Sequence, residues 1–348
     1  MFTVRLIELG LDSFFQQQLM ADDLSAITPV RVMNVHRSGV HLVGDGFDRH
    51  VELSVKDHEM QSTVGDWLLL DSSTQRVVRR LDRKSLFKRR APGTDRREQQ
   101  IAANVDTLFI VSSCNKDFNE ARLERYLAIA REAQVMAVVV LTKTDLVDDP
   151  LEFVYKARKL APAIQVEAVN ALSAKTLECL NPWLGNGQTI ALLGSSGVGK
   201  STLVNTLIGI EDIATQAIRE DDAKGRHTTT SRSMHHLPGG AWLLDTPGMR
   251  ELQLSGVKTG LDDVFAEISA LAKECRFSDC QHENEPGCMV QKAIRSGDIE
   301  PSRLDRWRKL AREDALNSAT IAERRSRDKA FGRLIKRVLS EKKAKRDP

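Results

Sequence analysis

The chain changes hydrophobic rhythm twice. Over residues 30–35, 40–43, 50–55, 66–71 and 75–81, apolar side chains recur in short, partly alternating segments broken by glycines and polar turns. A period of two marks half-buried strands, and five of them in one short stretch predict a small barrel of the OB type, although any five-stranded barrel leaves a similar trace. Residues 11–20, ahead of the barrel, predict an amphipathic helix. From residue 107 apolar runs alternate with helical periods. A strand is expected at 107–112, a helix at 119–134 with Leu123, Leu127 and Ala130 on one face, and strands at 136–141, 164–169, 190–193 and 242–244. Such runs separated by helices predict a mostly parallel sheet with helices on both faces. Beyond residue 261 the pattern is helical except for one polar loop, and it ends in a basic helix or tail. The chain thus reads as multidomain: an N-terminal β-barrel of OB-fold type in 1–90, a central α/β domain in 91–254 and a mainly α domain in 255–348.

Candidate chemistry enters at the run 190–193. It is followed by Gly194, Ser195, Ser196, Gly197, Val198, Gly199, Lys200 and Ser201, which fit G-x-x-x-x-G-K-[ST], and a helical pattern begins near Ser201 and Thr202. Glycines let a wide loop turn its backbone N–H groups onto the phosphates of a nucleotide; Lys200 reaches the outer phosphates and Ser201 can ligate Mg²⁺. The central domain therefore reads as a P-loop nucleoside triphosphate site.

The order of the remaining motifs is unusual. Thr142, Lys143, Thr144 and Asp145 follow the run 136–141, and Ser173, Ala174 and Lys175 follow the run 164–169, both ahead of the phosphate loop. Asp245, Thr246, Pro247 and Gly248 come after it, at the end of the run 242–244. A carboxylate at Asp145 can accept two hydrogen bonds from the N1–H and N2–H₂ edge of guanine, which adenine does not offer, so GTP is favoured over ATP. Asp245 is placed to hold Mg²⁺ through water, and the Gly248 backbone to reach the γ-phosphate. In an ordinary GTPase the base-reading loops come last. Here they come first, which predicts a circularly permuted GTPase domain, a rearrangement tolerated because domain termini usually lie close together at the surface.

Two positions depart from the usual pattern. Thr142 stands where an Asn normally braces the phosphate loop, which predicts that guanine selectivity survives through Asp145 with weaker binding. Met249 follows the D-T-P-G run where many GTPases carry a Gln that orients the attacking water. Hydrolysis by the free protein is therefore expected to be slow. Lys224, Gly225, Arg226, His227, Thr228, Thr229 and Thr230 lie where the first switch belongs. Thr228 or Thr229 supplies a hydroxyl for Mg²⁺, and His227 is the candidate catalytic residue for positioning water; a solvated or RNA-contacting loop histidine is the alternative.

Cys275, Cys280, His282 and Cys288 gather three thiols and one imidazole within fourteen residues of a polar stretch. Four protein ligands fill a tetrahedral zinc site and leave no open position, so one structural Zn²⁺ is expected. Cys114 and Cys179 lie in apolar or helical surroundings and read as ordinary thiols; the spacing disfavours a disulfide framework.

With 41% hydrophobic residues in 348, the chain can bury a substantial core, and its apolar runs are far shorter than a membrane span. Residues 1–10 show no signal-peptide pattern, and a cytoplasmic protein is expected. Charge is segregated. Residues 76–97 hold ten Lys or Arg against two acids and residues 322–348 hold eleven against four, although the net charge of the whole chain is only +3. Two basic elements beside a barrel predict an RNA partner, a solvated tail being the alternative for the second.

The permuted order, the Gly-Arg-His-Thr-Thr run, the D-T-P-G run and the Cys-x4-Cys-x-His-x5-Cys spacing together resemble the ribosome small-subunit-dependent GTPase A (RsgA) family over nearly the whole chain. The resemblance implies an OB-fold, a permuted GTPase and a zinc domain in that order. It also implies a factor acting late in maturation of the small ribosomal subunit, bound to its 16S rRNA, cycling between GTP and GDP and hydrolysing GTP faster on the subunit. No membrane partner is expected, and a monomer is. Two other classes stay open: an RNA-bound module that a nucleotide merely stabilises, and an ATP-driven RNA remodelling enzyme, which Asp145 disfavours.

Overall fold

The computed structural model describes residues 5–20, 25–36, 39–52, 62–90, 98–173, 175–209, 232–245, 252 and 254–318. Helix α1 (Ser13–Gln18) is capped by Asp12, whose side chain accepts from the Phe14 N–H, and it buries Phe15 against Trp67 with ring centroids 6.0 Å apart. Five antiparallel strands follow: β1 (Ile27–Val35), β2 (Val40–Gly44), β3 (Phe47–Val51), β4 (Trp67–Asp71) and β5 (Val77–Arg80). They pair in the order β3-β2-β1-β4-β5. That is the ladder of a five-stranded OB barrel with its seam between β3 and β5. Arg49 on β3 donates to Gln75 Oε1, ahead of β5, at 3.0 Å across the seam.

Strand β4 shows why its sequence is apolar throughout rather than alternating. Leu68 and Leu70 face the barrel interior with Val30, Val32, Val40 and Leu42, whereas Trp67 and Leu69 face a second core shared with Phe15 and Ile101. Strand β3 starts earlier than the expected 50–55, because Asp45 and Gly46, the latter at φ +66°, close a two-residue turn directly after β2. The hairpin of β6 (Leu86–Arg90) and β7 (Glu98–Ala103) was not expected from the sequence, and it straddles residue 90.

The α/β layer consists of β8 (Thr107–Ser113), β9 (Met136–Thr142), β10 (Gln165–Ala168), β11 (Thr189–Gly194), β12 (Arg232–His236) and β13 (Trp242–Asp245). Five of these run parallel in the order β10-β9-β8-β11-β13, so their C-terminal ends share one edge. β8 and β9 alternate between two cores: Leu108, Ile110, Val139 and Leu141 face one, while Phe109, Val111, Val138 and Val140 face the other. β12 runs antiparallel to β13 and then pairs with β1, which fuses barrel and α/β layer into one eleven-stranded sheet.

Helices α2 (Glu120–Glu132), α3 (Leu151–Arg158), α4 (Thr176–Leu180) and α5 (Lys200–Ile208) connect these strands. α2 matches its expected span: the Asn119 side chain caps it by accepting from the Arg122 N–H at 2.9 Å, and Leu123, Leu127 and Ala130 are buried. The C-terminal helices are α6 (Lys258–Val264), α7 (Ala266–Lys273), α8 (Met289–Ser296) and α9 (Pro301–Ser318). They dock on α2. Gly260 of α6 approaches so closely that a Cβ there would lie 2.1 Å from the Ala128 carbonyl oxygen, and its N–H donates to Glu132 Oε2 at 3.0 Å. From α9, Arg303 and Arg306 reach the buried Glu124 carboxylate at 2.6 and 2.8 Å, and Arg303 Nη2 also donates to the carbonyls of Leu160 and Val264. Burial pushes the Glu124 carboxyl up against the opposing pull of the two guanidinium groups.

Candidate functional site

The C-terminal edge of the parallel strands gathers the predicted loops, as open α/β sheets place ligands outside the carboxyl ends of their strands. The phosphate loop leaves β11 at Gly194 and enters α5 at Lys200. Gly194 has no room for a side chain, since a Cβ would sit 2.3 Å from the Val111 carbonyl oxygen on β8. Gly199 turns the chain into the helix at φ +93°. Between them Val198 is buried as an anchor, while Ser196 and Gly197 are exposed and Ser195, Ser201 and Thr202 are half-buried. The Lys200 ammonium lies over the loop, donating to the carbonyl oxygens of Gly194 at 2.7 Å and of Ser195. These contacts keep the cation at the loop where phosphates would be cradled.

Thr142, at the end of β9, is fully buried, and its hydroxyl lies within hydrogen-bond reach of the carbonyl oxygens of Val198 and, at 3.1 Å, Ser112. It also packs under the loop's last glycine, 3.2 Å from where a Gly199 Cβ would be. The hydroxyl therefore braces the phosphate loop, the role an Asn was expected to be needed for. Lys143 follows in the left-handed conformation at φ +60°, and Thr144 and Asp145 begin a 3₁₀ turn in which Asp145 is exposed. Ser173 is half-buried, and Lys175 exposed, in the loop after β10; Ala174 lies outside the described residues. A second brace, from α5, reaches that loop: the Thr206 hydroxyl donates to the Ala171 carbonyl at 2.6 Å. Asn170 organises the same loop, accepting from the Leu172 N–H through its side chain and from the Ser173 N–H through its carbonyl. Thr206 was not legible from the sequence, because a hydroxyl meeting a carbonyl across thirty-five residues leaves no local pattern; Asn170, whose contacts are local, was missed there as well.

Asp245 is the last residue of β13, the parallel neighbour of β11, and so stands at the same edge as the phosphate loop. His227, Thr228, Thr229, Gly248 and Met249 lie outside the described residues.

Cys275, Cys280, His282 and Cys288 converge in the loop between α7 and α8, with their ligand atoms within 4.8 Å of one another. Cys275 Sγ is 3.6 Å from His282 Nδ1 and 3.9 Å from Cys288 Sγ, and Cys288 Sγ is 3.5 Å from His282 Nδ1. A tetrahedron with metal–sulfur bonds of about 2.3 Å and metal–nitrogen bonds of about 2.0 Å has ligand edges of about 3.5–3.8 Å, so the donor set has the size of a closed metal centre. The sulfurs are too far apart for a disulfide. His282 is held in the left-handed region at φ +60°, and its carbonyl accepts from Gln291 Nε2 and Arg308 Nη2, both at 2.5 Å. Cys288 caps α8, its sulfur accepting from the Gln291 N–H at 3.4 Å. The cluster can hold a metal ion, and such an ion would tie the loop 275–288 to α8 and α9.

The basic connector is less free than its composition suggests. Arg83 forks onto the buried Asp66, Lys84 bridges Asp12 and Asp106 at 2.6 and 2.8 Å, and Lys88 pairs with Glu98 at 3.1 Å. Burial alone would lower the Lys84 pKa, but Asp106 and Asp12 outweigh it and hold the ammonium above its usual range. The other expected basic segment, 322–348, lies outside the described residues. Among the described residues no helix is long and apolar enough to cross a membrane.

Comparison with known proteins agrees with this geometry. A protein named small ribosomal subunit biogenesis GTPase RsgA 2, from Vibrio parahaemolyticus, is 51% identical over 97% of this chain and 93% of its own length. A small ribosomal subunit biogenesis GTPase RsgA from Mesorhizobium japonicum is 47% identical, covering 94% of this chain and 95% of its own. The fold is shared with YjeQ from Thermotoga maritima (TM-score 0.60, 23% identity, 82% of this chain and 97% of that one). It is also shared with YloQ, described as a circularly permuted GTPase (TM-score 0.58, 19% identity, 84% and 97%). The family model for the RsgA GTPase matches residues 80–255, a span that runs from the connector through both base loops and the phosphate loop to Asp245 and beyond. With that match and relatives half identical along nearly its whole length, the chain belongs to the RsgA GTPase family and is a GTP hydrolase.

Proposed function

We propose that this GTPase acts in maturation of the small ribosomal subunit, binding 16S rRNA and hydrolysing GTP faster when the subunit is engaged. The observation that carries the nucleotide half is the bracing of both base loops onto the phosphate-loop unit, Thr142 beneath Val198 and Thr206 against Ala171. The names of the relatives support the subunit as partner. In this reading Asp145 reads the guanine edge, with Lys143, Thr144, Ser173, Ala174 and Lys175 enclosing the base. The backbone from Gly194 to Thr202 cradles the phosphates, and Lys200 neutralises the outer ones. Ser201, Asp245 and Thr228 or Thr229 would hold Mg²⁺, which supplies charge neutralisation at the β- and γ-phosphates. Gly248 would sense the γ-phosphate, and His227 is proposed to position the attacking water in place of the Gln that Met249 replaces.

The metal proposed for Cys275, Cys280, His282 and Cys288 is a single structural zinc, since a closed three-sulfur, one-nitrogen set suits Zn²⁺ and offers no open position for catalysis. The working unit is a cytoplasmic monomer divided as 1–90, 91–254 and 255–348. GTP favours the subunit-bound arrangement and hydrolysis releases it, because a nucleotide shifts an equilibrium only through differential contacts with two states. Binding of the protein to isolated small subunits, compared with GDP and with a non-hydrolysable GTP analogue, tests this cycle: tighter binding with the analogue is expected, and equal affinity in both states rules it out.

A further inference from the structure

β12 ties the barrel ladder to the parallel strands, above a core that the two share. On one side it pairs with β13, which ends at Asp245; on the other, among the described residues, it pairs with β1 at Asn34 with Ser233 and at Val35 with Arg232. The register continues without a break. Asp245 is opposite Ser233, Ser233 opposite Asn34, Asn34 opposite His41 and His41 opposite His50. One row across the sheet therefore leads from the carboxylate proposed for Mg²⁺ to the outer strands of the barrel, four strand spacings or about 19 Å away. At its far end Arg49 and His50 are exposed on β3, and the Arg49 guanidinium lies 5.7 Å from the Phe47 ring, the pairing of cation and aromatic that suits unpaired nucleic acid.

Two features make this row a joint rather than a passive seam. β1 changes partner along a single edge, pairing with β4 over five residue pairs from Ile27 to Arg31 and with β12 at Asn34 and Val35, and its register against β2 shifts between Val32 and Asn34. Such a bulge bends and re-aims a strand. Arg232, the first described residue of β12, also donates to the Gln100 carbonyl on β7 at 2.5 Å and, on the barrel side, reaches Thr63 Oγ1 at 3.4 Å. The C-terminal helices are fastened differently. Gly260, Arg303 and Arg306 lock them onto α2, so that they are built to move with the α/β layer. The β1–β12 pairing thus lies beside a bulge, between the nucleotide edge and the barrel.

We infer that β12 is the coupling element between barrel and nucleotide site: RNA held on the β2–β3 face and the nucleotide at the β11–β13 edge bias the same β1–β12 pairing. Each must then alter the other's effect, since coupling between binding sites is reciprocal. Arg232 is a positioning residue in this scheme, acting through the strand it begins. The inference rests on the reading of the chain as a subunit-activated GTPase.

Two measurements on the full-length protein test it. Amide hydrogen exchange across 232–236 and 34–35 is expected to be slower with a non-hydrolysable GTP analogue than with GDP. In hydrolysis assays, Arg232→Ala is expected to keep its basal rate and its binding to subunits, yet to lose about tenfold or more of the stimulation, with Arg232→Lys recovering part of it. Exchange that ignores the nucleotide, or full stimulation of the Arg232→Ala protein, overturns the coupling. Absence of stimulation in the unaltered protein defeats the functional reading instead, and the exchange measurement then decides the coupling alone, as it does if Arg232→Ala fails to fold.

Discussion

The Thr142 hydroxyl ties the first base loop to the phosphate loop. Thr142→Val keeps the shape but leaves the Val198 carbonyl, buried beside it, without its donor, at a cost of about 1–3 kcal/mol. Because the lost bond holds the phosphate loop, GTP affinity should fall about tenfold, whereas Thr142→Ser should stay near the unaltered value; titration with a fluorescent GTP analogue compares them. Equal affinity of the Val and Ser variants would remove the brace from the account. Cys114, buried at the end of β8, is a residue of the ordinary kind by contrast. Burial pushes its thiol up to about 11 from the usual 9.0, so the neutral form is favoured in the fold. Its contribution to stability is full below pH 9 and is lost as pH rises through about 11. Maleimide labelling of the native protein at pH 8 should accordingly spare Cys114. Residues such as Lys200, Asp145 and Cys275 were legible in the sequence because their chemistry depends on short fixed spacings. Thr206 and Arg232 were not, because each acts on a carbonyl brought near only by the fold.

At the scale of elements, legibility followed apolar continuity. β8, β9 and β11 are buried on both faces and were placed to within one residue, as was most of α2, whose apolar face and Asn119 cap are both local signals. β6, β7 and β12 were missed. Their charged and polar positions, among them Lys88, Arg89, Gln99 and His235, hide the alternation behind ion pairs and edge exposure. The docking of α6 on α2 turns on a glycine: Gly260→Ala sets a Cβ against the Ala128 carbonyl and should destabilise the protein by about 1–3 kcal/mol in denaturant titrations. A variant as stable as the parent would mean that the helices part more readily than the distances indicate. The metal loop is a second such element. One equivalent of zinc per chain is expected by elemental analysis, and a strong chelator, or Cys288→Ser, should lower the thermal midpoint by melting the loop 275–288 away from α8. A chelator-treated chain with an unchanged midpoint would show that the cluster holds without an ion.

At the scale of the whole molecule, one sheet joins the barrel to the α/β layer, and one extended core continues into the C-terminal helices. The barrel's ladder continues through β12 into the α/β layer, and the core that begins at Phe15 and Trp67 runs past Leu108 and Leu127 to Leu310. Permutation was legible because motif order is a property of sequence, but the path from barrel to nucleotide edge was not, since it depends on a register between strands two hundred residues apart. Several cations of the connector are occupied internally, so the surface available to phosphates is smaller than composition implied. On the proposed reading these features belong to a GTPase that its partner activates. Steady-state hydrolysis by the purified protein, alone and with isolated small ribosomal subunits and with ATP as the control substrate, tests this directly. The account predicts slow turnover alone and a strong, GTP-specific rise with subunits; slow turnover that subunits leave unchanged, despite tight GTP binding, would contradict it and leave an RNA-binding module that a nucleotide merely stabilises.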